Sequence, residues 1–289
     1  MNNVLSKFRV YYTLTKPEVN LLILMTTSGG YYLGSRGPFH LSAFSNTLVG
    51  TLLVASGTAT LNQCMERRWD GQMRRTAKRP LPAGQIAPLE AFGFGALLSV
   101  AGGLYLAFSV NWLCSALAIS TLLSYLLIYT PLKRRTPFCT LLGAVPGAMP
   151  ALIGWAGATD RVNVPALFLF AVVFLWQFPH FLAIALMYRG DYERAGYRML
   201  PRFDLDARFT RAEIVAFSCA LTLTTLLATA HAGPVYAAAT LAAGGFLLYH
   251  SLRLAICSTR ALASRLLTAS VIYLPVVLVI LALAKLTTG

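Results

Sequence analysis

Asn62-Gln63-Cys64-Met65-Glu66-Arg67-Arg68-Trp69-Asp70 closes a run without charge that begins at Phe44, and Gly71-Gln72-Met73-Arg74-Arg75-Thr76-Ala77-Lys78-Arg79-Pro80 follows at once. The apolar run is long enough to cross the hydrocarbon of a bilayer. Asn62, Glu66 and Asp70 stand at i, i+4 and i+8, so a helix places them on one face, one turn apart. One amide and two carboxylates suit a hard divalent cation, Mg²⁺ first. The bases that follow, Arg67, Arg74, Arg75, Lys78 and Arg79, suit phosphate. As mere caps the acids are poorly placed, because carboxylates at a helix C-terminus oppose its dipole. The stretch reads as a site for a metal-bridged diphosphate at a membrane surface.

The rest of the chain agrees with a membrane. Its 289 residues are 57% hydrophobic and 12% charged, with a mean hydropathy of +0.64. Uncharged runs recur at Val19–Leu33, Phe44–Met65, Ala91–Val110, Trp112–Tyr129, Phe138–Gly157, Val164–Tyr188, Ile214–Ala230, Pro234–Leu252 and Leu266–Ala284. These predict an all-α polytopic membrane protein of about nine transmembrane helices and exclude a soluble globular fold. Met1–Glu18 is polar and basic, and no cleavable signal peptide is expected there. Gly143, Gly147 and Gly154 read as positions of close helix packing.

A net charge of +14 raises the question of nucleic acid, and its distribution answers it. With nine spans, 21 of the 24 basic residues fall on one side; only Arg36, Arg161 and Lys285 fall on the other. This is the positive-inside bias, so the motif loops are expected to face the cytoplasm and no nucleic-acid partner is expected. The five cysteines are scattered with no C-x-x-C pair and read as small buried residues.

The halves of the chain rhyme. The sixth span ends in Tyr188-Arg-Gly-Asp191-Tyr-Glu-Arg194, with a basic tail to Pro201 and Arg202, echoing the tail of the second span. A single domain over residues 1–289 is expected, with pseudo-repeat halves at roughly 15–130 and 138–252. Two four-helix units plus one helix would then enclose a central cavity, with the acid clusters facing each other. His180 is the one ionisable residue well inside a span. Eleven residues before Asp191, it would lie about 16 Å deeper on an unbroken helix. An ionisable group at that depth is a functional candidate. His40, His231 and His250 lie near span ends and read as interfacial.

Four blocks then carry a resemblance: Thr15-Lys16-Pro17; Asn62 through Gly84; Tyr129-Thr-Pro-Leu-Lys133-Arg134-Arg135-Thr136; and Trp176-Gln177-Phe-Pro179-His180-Phe181 running on to Asp191 and Pro201. The chain resembles the UbiA-type intramembrane prenyltransferases across nearly its whole length, most weakly after about Thr210. The Trp-Gln-x-Pro-His-Phe block resembles the haem-modifying branch of that superfamily. Departures are Glu66 where an Asp is expected and Ala195 where many relatives carry a second Asp. Cys139 stands near an expected Asn, and Ala151 replaces a usual Pro.

The resemblance implies transfer of a farnesyl group from farnesyl diphosphate to the vinyl group of haem b, with addition of water. It implies Mg²⁺ on Asn62, Glu66, Asp70 and Asp191. The diphosphate would lie on Arg67, Arg74, Arg75, Lys78, Arg79, Lys133, Arg134 and Arg135, and the haem against Trp176, Gln177 and His180. It also implies residence among the lipids of a bacterial inner membrane, with a downstream haem A synthase or terminal-oxidase assembly factors as partners. The rivals are a prenyltransferase acting on a quinone precursor or other aromatic acceptor, and a secondary transporter. Transporters gather polar groups near the midplane, whereas here the acids crowd one membrane face.

Overall fold

The computed structural model describes residues 2–229 and 232–288, without the side chains of residues 2–6 and 288. Ala230, at the end of an expected span, and His231 lie outside them. The described residues form helices and connecting turns. In chain order these are α1 (Asn2–Leu14), α2 (Pro17–Gly34), α3 (Leu41–Asp70), α4 (Pro88–Ser109), α5 (Trp112–Leu132), α6 (Cys139–Thr159), α7 (Val164–Met187), the short α8 (Arg189–Arg194), α9 (Arg208–Thr229), α10 (Pro234–Ile256) and α11 (Arg260–Thr288).

Seven of them, α4 to α7 and α9 to α11, are long and apolar enough to cross a membrane. The chain is an integral membrane protein. The expected count of nine would require α2 and α3 as well. These have 18 and 30 residues but carry more polar side chains, several of them buried: Asn20, Thr51, Ser56, Thr60, Asn62, Gln63. Their polar content belongs to the bundle interior, as it must where lipid offers no hydrogen bonds. Leu97, Phe108, Leu127, Leu223 and Val279 are exposed on the outside, as a lipid-facing surface requires.

Helix α3 packs on α4 and α2, α2 on α6, α6 on α5 and α7, and α7 on α9 and α11, with α2 meeting α11. Small residues allow a close crossing between α2 and α6. A Cβ on Gly154 would lie 1.9 Å from Thr27 O, and one on Gly30 would lie 2.2 Å from Ala151 O. No larger residue fits there without parting the helices.

Two local features position the site. The last turns of α5 widen into a π-helical segment over Ser124–Tyr129, a distortion common at functional sites. It delivers Thr130 and Lys133 to the end of α3. The second is a break: α7 stops at Met187, Tyr188 leaves helical geometry, and α8 restarts at Arg189. This corrects two expectations. Asp191 lies in the first turn of a new helix, where the dipole favours an acid, not at the end of the sixth span. The depth of about 16 Å for His180, which assumed one unbroken helix, no longer follows from residue spacing.

Candidate active site

Helix α3 does run through to Asp70, so Asn62, Glu66 and Asp70 climb one face. All three are buried. Asn62 Nδ2 donates to Glu66 Oε2 at 3.0 Å and to Thr130 Oγ1 at 3.1 Å. Lys133 Nζ reaches Glu66 Oε1 at 2.9 Å and Oε2 at 3.2 Å. The Tyr197 hydroxyl donates to Oε1 at 3.0 Å. Asp70 pairs with Arg79 at 2.8 Å. Asp191 pairs with Arg194 and accepts the backbone N–H of Arg75 at 3.3 Å. The 71–80 loop therefore touches both acid clusters, Asp70 through Arg79 and Asp191 through Arg75.

Electrostatics keep the Glu66–Lys133 pair charged. Burial by itself would raise the Glu66 carboxyl, but Lys133, beside it, holds it below the usual carboxylate range. Burial would likewise lower the Lys133 ammonium, and Glu66 more than offsets that, raising it well above its ordinary value. Burial and the neighbouring Glu66 push the Tyr197 phenol up, so it stays a donor.

Lys16 is the residue whose role the sequence reading missed. Its Nζ donates to Asn62 Oδ1 at 3.1 Å. Burial, then repulsion from Arg79, brings its ammonium down to about 7. Its backbone is left-handed, at φ 51° and ψ 65°, which costs a non-glycine residue about 1–2 kcal/mol. Strain of this kind persists where the surroundings enforce it, and it clusters at functional sites. The signal available in the sequence was Thr15-Lys16-Pro17 just before a span. Tyr197 and Thr130 were also missed; both lie inside blocks that carry the resemblance, but nothing in their spacing marks them as partners of Glu66 and Asn62.

The remaining bases divide. Arg75 stacks over Tyr188 and Tyr192, 5.0 and 5.7 Å from the ring centroids, and donates to the Tyr192 hydroxyl at 3.1 Å. Arg134 lies 4.4 Å over the Trp69 ring. Arg67 turns back onto its own helix, donating to Cys64 O at 2.7 Å. Arg74, Lys78 and Arg135 are exposed. The structure thus gathers Asn62, Glu66, Asp70, Asp191, Arg75, Arg79 and Lys133, and leaves the others at the rim.

The donor set fits a hard divalent cation: one amide and three carboxylates, all oxygen. Among the described residues no three His, Cys, Asp or Glu side chains converge on one point. Each acid faces a base instead, and a base is also what a phosphate takes.

The Trp-Gln-x-Pro-His-Phe block lies apart from the ion pairs. His180 is buried in α7, its ring stacked 4.7 Å from that of Trp176. Trp176 Nε1 donates to Ser270 O at 2.6 Å, and His180 Nδ1 lies 2.9 Å from Ser270 Oγ. Gln177 turns the other way, to α6. Its Nε2 donates to Ala144 O at 2.8 Å, and its Oε1 fills the place a Cβ on Gly147 would take, 1.9 Å away.

The comparisons point the same way. The sequence matches the UbiA prenyltransferase family over residues 23–277. It is 44% identical to the protoheme IX farnesyltransferase of Solibacter usitatus (strain Ellin6076), covering 93% of this chain and 96% of that one. It is 41% identical to the protoheme IX farnesyltransferase of Koribacter versatilis (strain Ellin345), over 98% and 95%. Among solved structures the fold matches a digeranylgeranylglyceryl phosphate synthase with TM-score 0.78 at 17% identity, over 96% and 98% of the two chains. It also matches a UbiA homologue from Archaeoglobus fulgidus bound to GPP and Mg²⁺, with TM-score 0.64 at 12% identity, over 94% and 99%. With its fold, its length and its acid-and-base face all in agreement, the chain belongs to the UbiA prenyltransferase family.

Proposed function

We propose that this enzyme, an intramembrane prenyltransferase, carries out the protohaem IX farnesyltransferase reaction. It transfers the farnesyl group of farnesyl diphosphate to a vinyl group of haem b, with addition of water, giving haem O and diphosphate. The observation that carries the reading is the pairing of three buried acids with bases at one end of the bundle: Glu66 with Lys133, Asp70 with Arg79, Asp191 with Arg194.

A magnesium diphosphate satisfies both members of every pair, the acids by the cation and the bases by phosphate oxygen. Asn62, Glu66, Asp70 and Asp191 would hold Mg²⁺, which neutralises the diphosphate as the C–O bond breaks. Lys133, Arg79, Arg75 and Lys16 take up the remaining charge in positions already set before the reaction. Arg134 joins them at the mouth, and Arg67, Arg74, Lys78 and Arg135 supply the field that draws the anion in. The apolar helix walls hold the farnesyl tail and keep water from the allylic cation. His180 and Trp176 serve the haem, with Gln177 holding α7 against α6 beside them.

Both halves, residues 15–130 and 138–252, supply acids to this one site, which supports reading residues 1–289 as a single duplicated domain. The positive-inside bias supports a site at the cytoplasmic face of the membrane; the membrane proposed is a bacterial inner membrane, and the partners proposed are a downstream haem A synthase or oxidase assembly factors. The test is incubation of membranes with haem b, farnesyl diphosphate and Mg²⁺, followed by mass spectrometry. A haem heavier by one farnesyl and one water is expected; a prenylated benzoate or quinone beside untouched haem would remove the haem acceptor. Orientation is checked with single cysteines near Gly71, Arg202 and Asp160 in a background lacking the five native ones. The first two should label from the cytoplasm and the third from outside.

A further inference from the structure

Ser270 on α11 has one hydroxyl hydrogen and two polar neighbours. Its Oγ lies 2.7 Å from Leu267 O, a backbone carbonyl that can only accept. The hydroxyl hydrogen is therefore spent on Leu267. Toward His180 Nδ1, 2.9 Å away, Ser270 Oγ has only a lone pair to offer, so Nδ1 must carry the proton. The imidazole is buried in a span and has no carboxylate partner among the described residues, and a charge there would go uncompensated. A neutral ring protonated on Nδ1 has a bare Nε2. Among the described residues Nε2 takes no hydrogen bond, and it is absent from the five fully enclosed side-chain atoms left without a partner, which are Asn20 Oδ1, Gln63 Oε1, Thr140 Oγ1, Trp155 Nε1 and Thr210 Oγ1. Nε2 is therefore not fully enclosed.

The same residue fixes the ring from its other side. Ser270 O accepts the Trp176 indole N–H at 2.6 Å, and Trp176 stacks on His180 with 25° between the planes. One residue of the last helix sets both the tautomer and the plane of the imidazole. A neutral histidine that donates from one nitrogen to a fixed acceptor is the arrangement by which proteins orient a metal-ligating imidazole and raise its basicity.

We propose that Ser270 is a positioning residue that locks His180 as the Nδ1–H tautomer and presents the Nε2 lone pair to the haem acceptor, as a ligand for its iron. The proposal rests on the haem-side reading of His180 and adds the residue and the proton that make it work.

The test uses the full chain in nanodiscs. Histidine-¹⁵N NMR of the ligand-free protein, with His180 assigned by difference from His180→Ala, should show Nδ1 protonated and Nε2 bare. Ser270→Ala should lose that preference. Haem affinity should then fall about tenfold with farnesyl diphosphate affinity unchanged, and the Soret band of the haem complex should shift. In the His180→Ala background, Ser270→Ala should change nothing further. An Nε2–H tautomer in the wild type overturns the proposal before any variant is made. So does a loss of haem affinity that persists without His180, which would mark Ser270 as packing only. A separate failure is distinguishable: the expected tautomer, with haem binding untouched in His180→Ala, removes the haem-side reading and the destination of Nε2 with it.

Discussion

The two ends of the reaction are held by opposite means. At the α3 end charge is dense, and three buried acids are each matched by a base: Glu66 by Lys133, Asp70 by Arg79, Asp191 by Arg194. Among the described residues His180 takes part in no ion pair; it meets Ser270 and the rings of Trp176 and Phe181. The difference follows from the ligands proposed for each. A diphosphate brings several negative charges and a cation, so the site that receives it needs charges it can exchange. A porphyrin is largely apolar, so the region that receives it needs direction without charge, which the bilayer interior penalises. If the comparison holds, damage at the first end should remove chemistry, and damage at the second should remove selectivity for the acceptor.

The largest effects belong to the charged end. Chelation of divalent metal should silence the enzyme, and Mg²⁺ should restore it. Asp70→Asn and Asp191→Asn should each lower turnover by roughly 10³-fold, equivalent to about 4 kcal/mol of barrier, with the protein still inserted. Full turnover in excess chelator would break the comparison at its root.

Next comes Lys133→Met. Glu66 would stay buried with only hydrogen bonds and the Lys16 charge left to match it. Losing one partner of a buried pair costs about 3 kcal/mol or more of stability, so both thermal stability in detergent and activity should fall. Glu66→Gln/Lys133→Met should recover much of the stability and none of the activity. Recovery of activity in the double variant would mean that the pair is structural only.

Lys16→Gln should weaken farnesyl diphosphate binding by about 10- to 100-fold, the range for a hydrogen bond to a charged group, with haem affinity unchanged. His180→Ala should do the reverse. A tight-binding assay of each substrate against both variants gives four values, and only the crossed pattern supports two separate ends.

Smallest should be Lys78→Gln. Lys78 is exposed, and a rim charge mainly aids encounter. Its effect should be on the order of threefold at low salt and vanish at high salt. A loss as large as that of Lys16→Gln would place Lys78 in the site and shift the boundary drawn here between lining and rim.

What the sequence determined by itself was what repeats locally. Charge-free runs specify membrane helices because backbone polar groups in lipid must be satisfied within the segment. A four-residue spacing puts Asn62, Glu66 and Asp70 on one face of any helix, whatever surrounds it. The dense bases mark the end of the bundle where an anion would be met. Helices α2 and α3 were legible as apolar runs, though their polar side chains leave them outside the seven that are long and apolar enough to cross a membrane.

The tertiary structure alone decided which residues meet. Tyr197 reaches Glu66 across 131 positions, Lys133 across 67, and Ser270 reaches His180 across 90; no periodicity encodes a partner at such distance. Lys16 became a site residue only when its left-handed backbone carried its amine to Asn62. The break at Tyr188 moved Asp191 onto a new helix, where local spacing had read one continuous span. Such features arise because packing, not propensity, settles how a chain turns between helices.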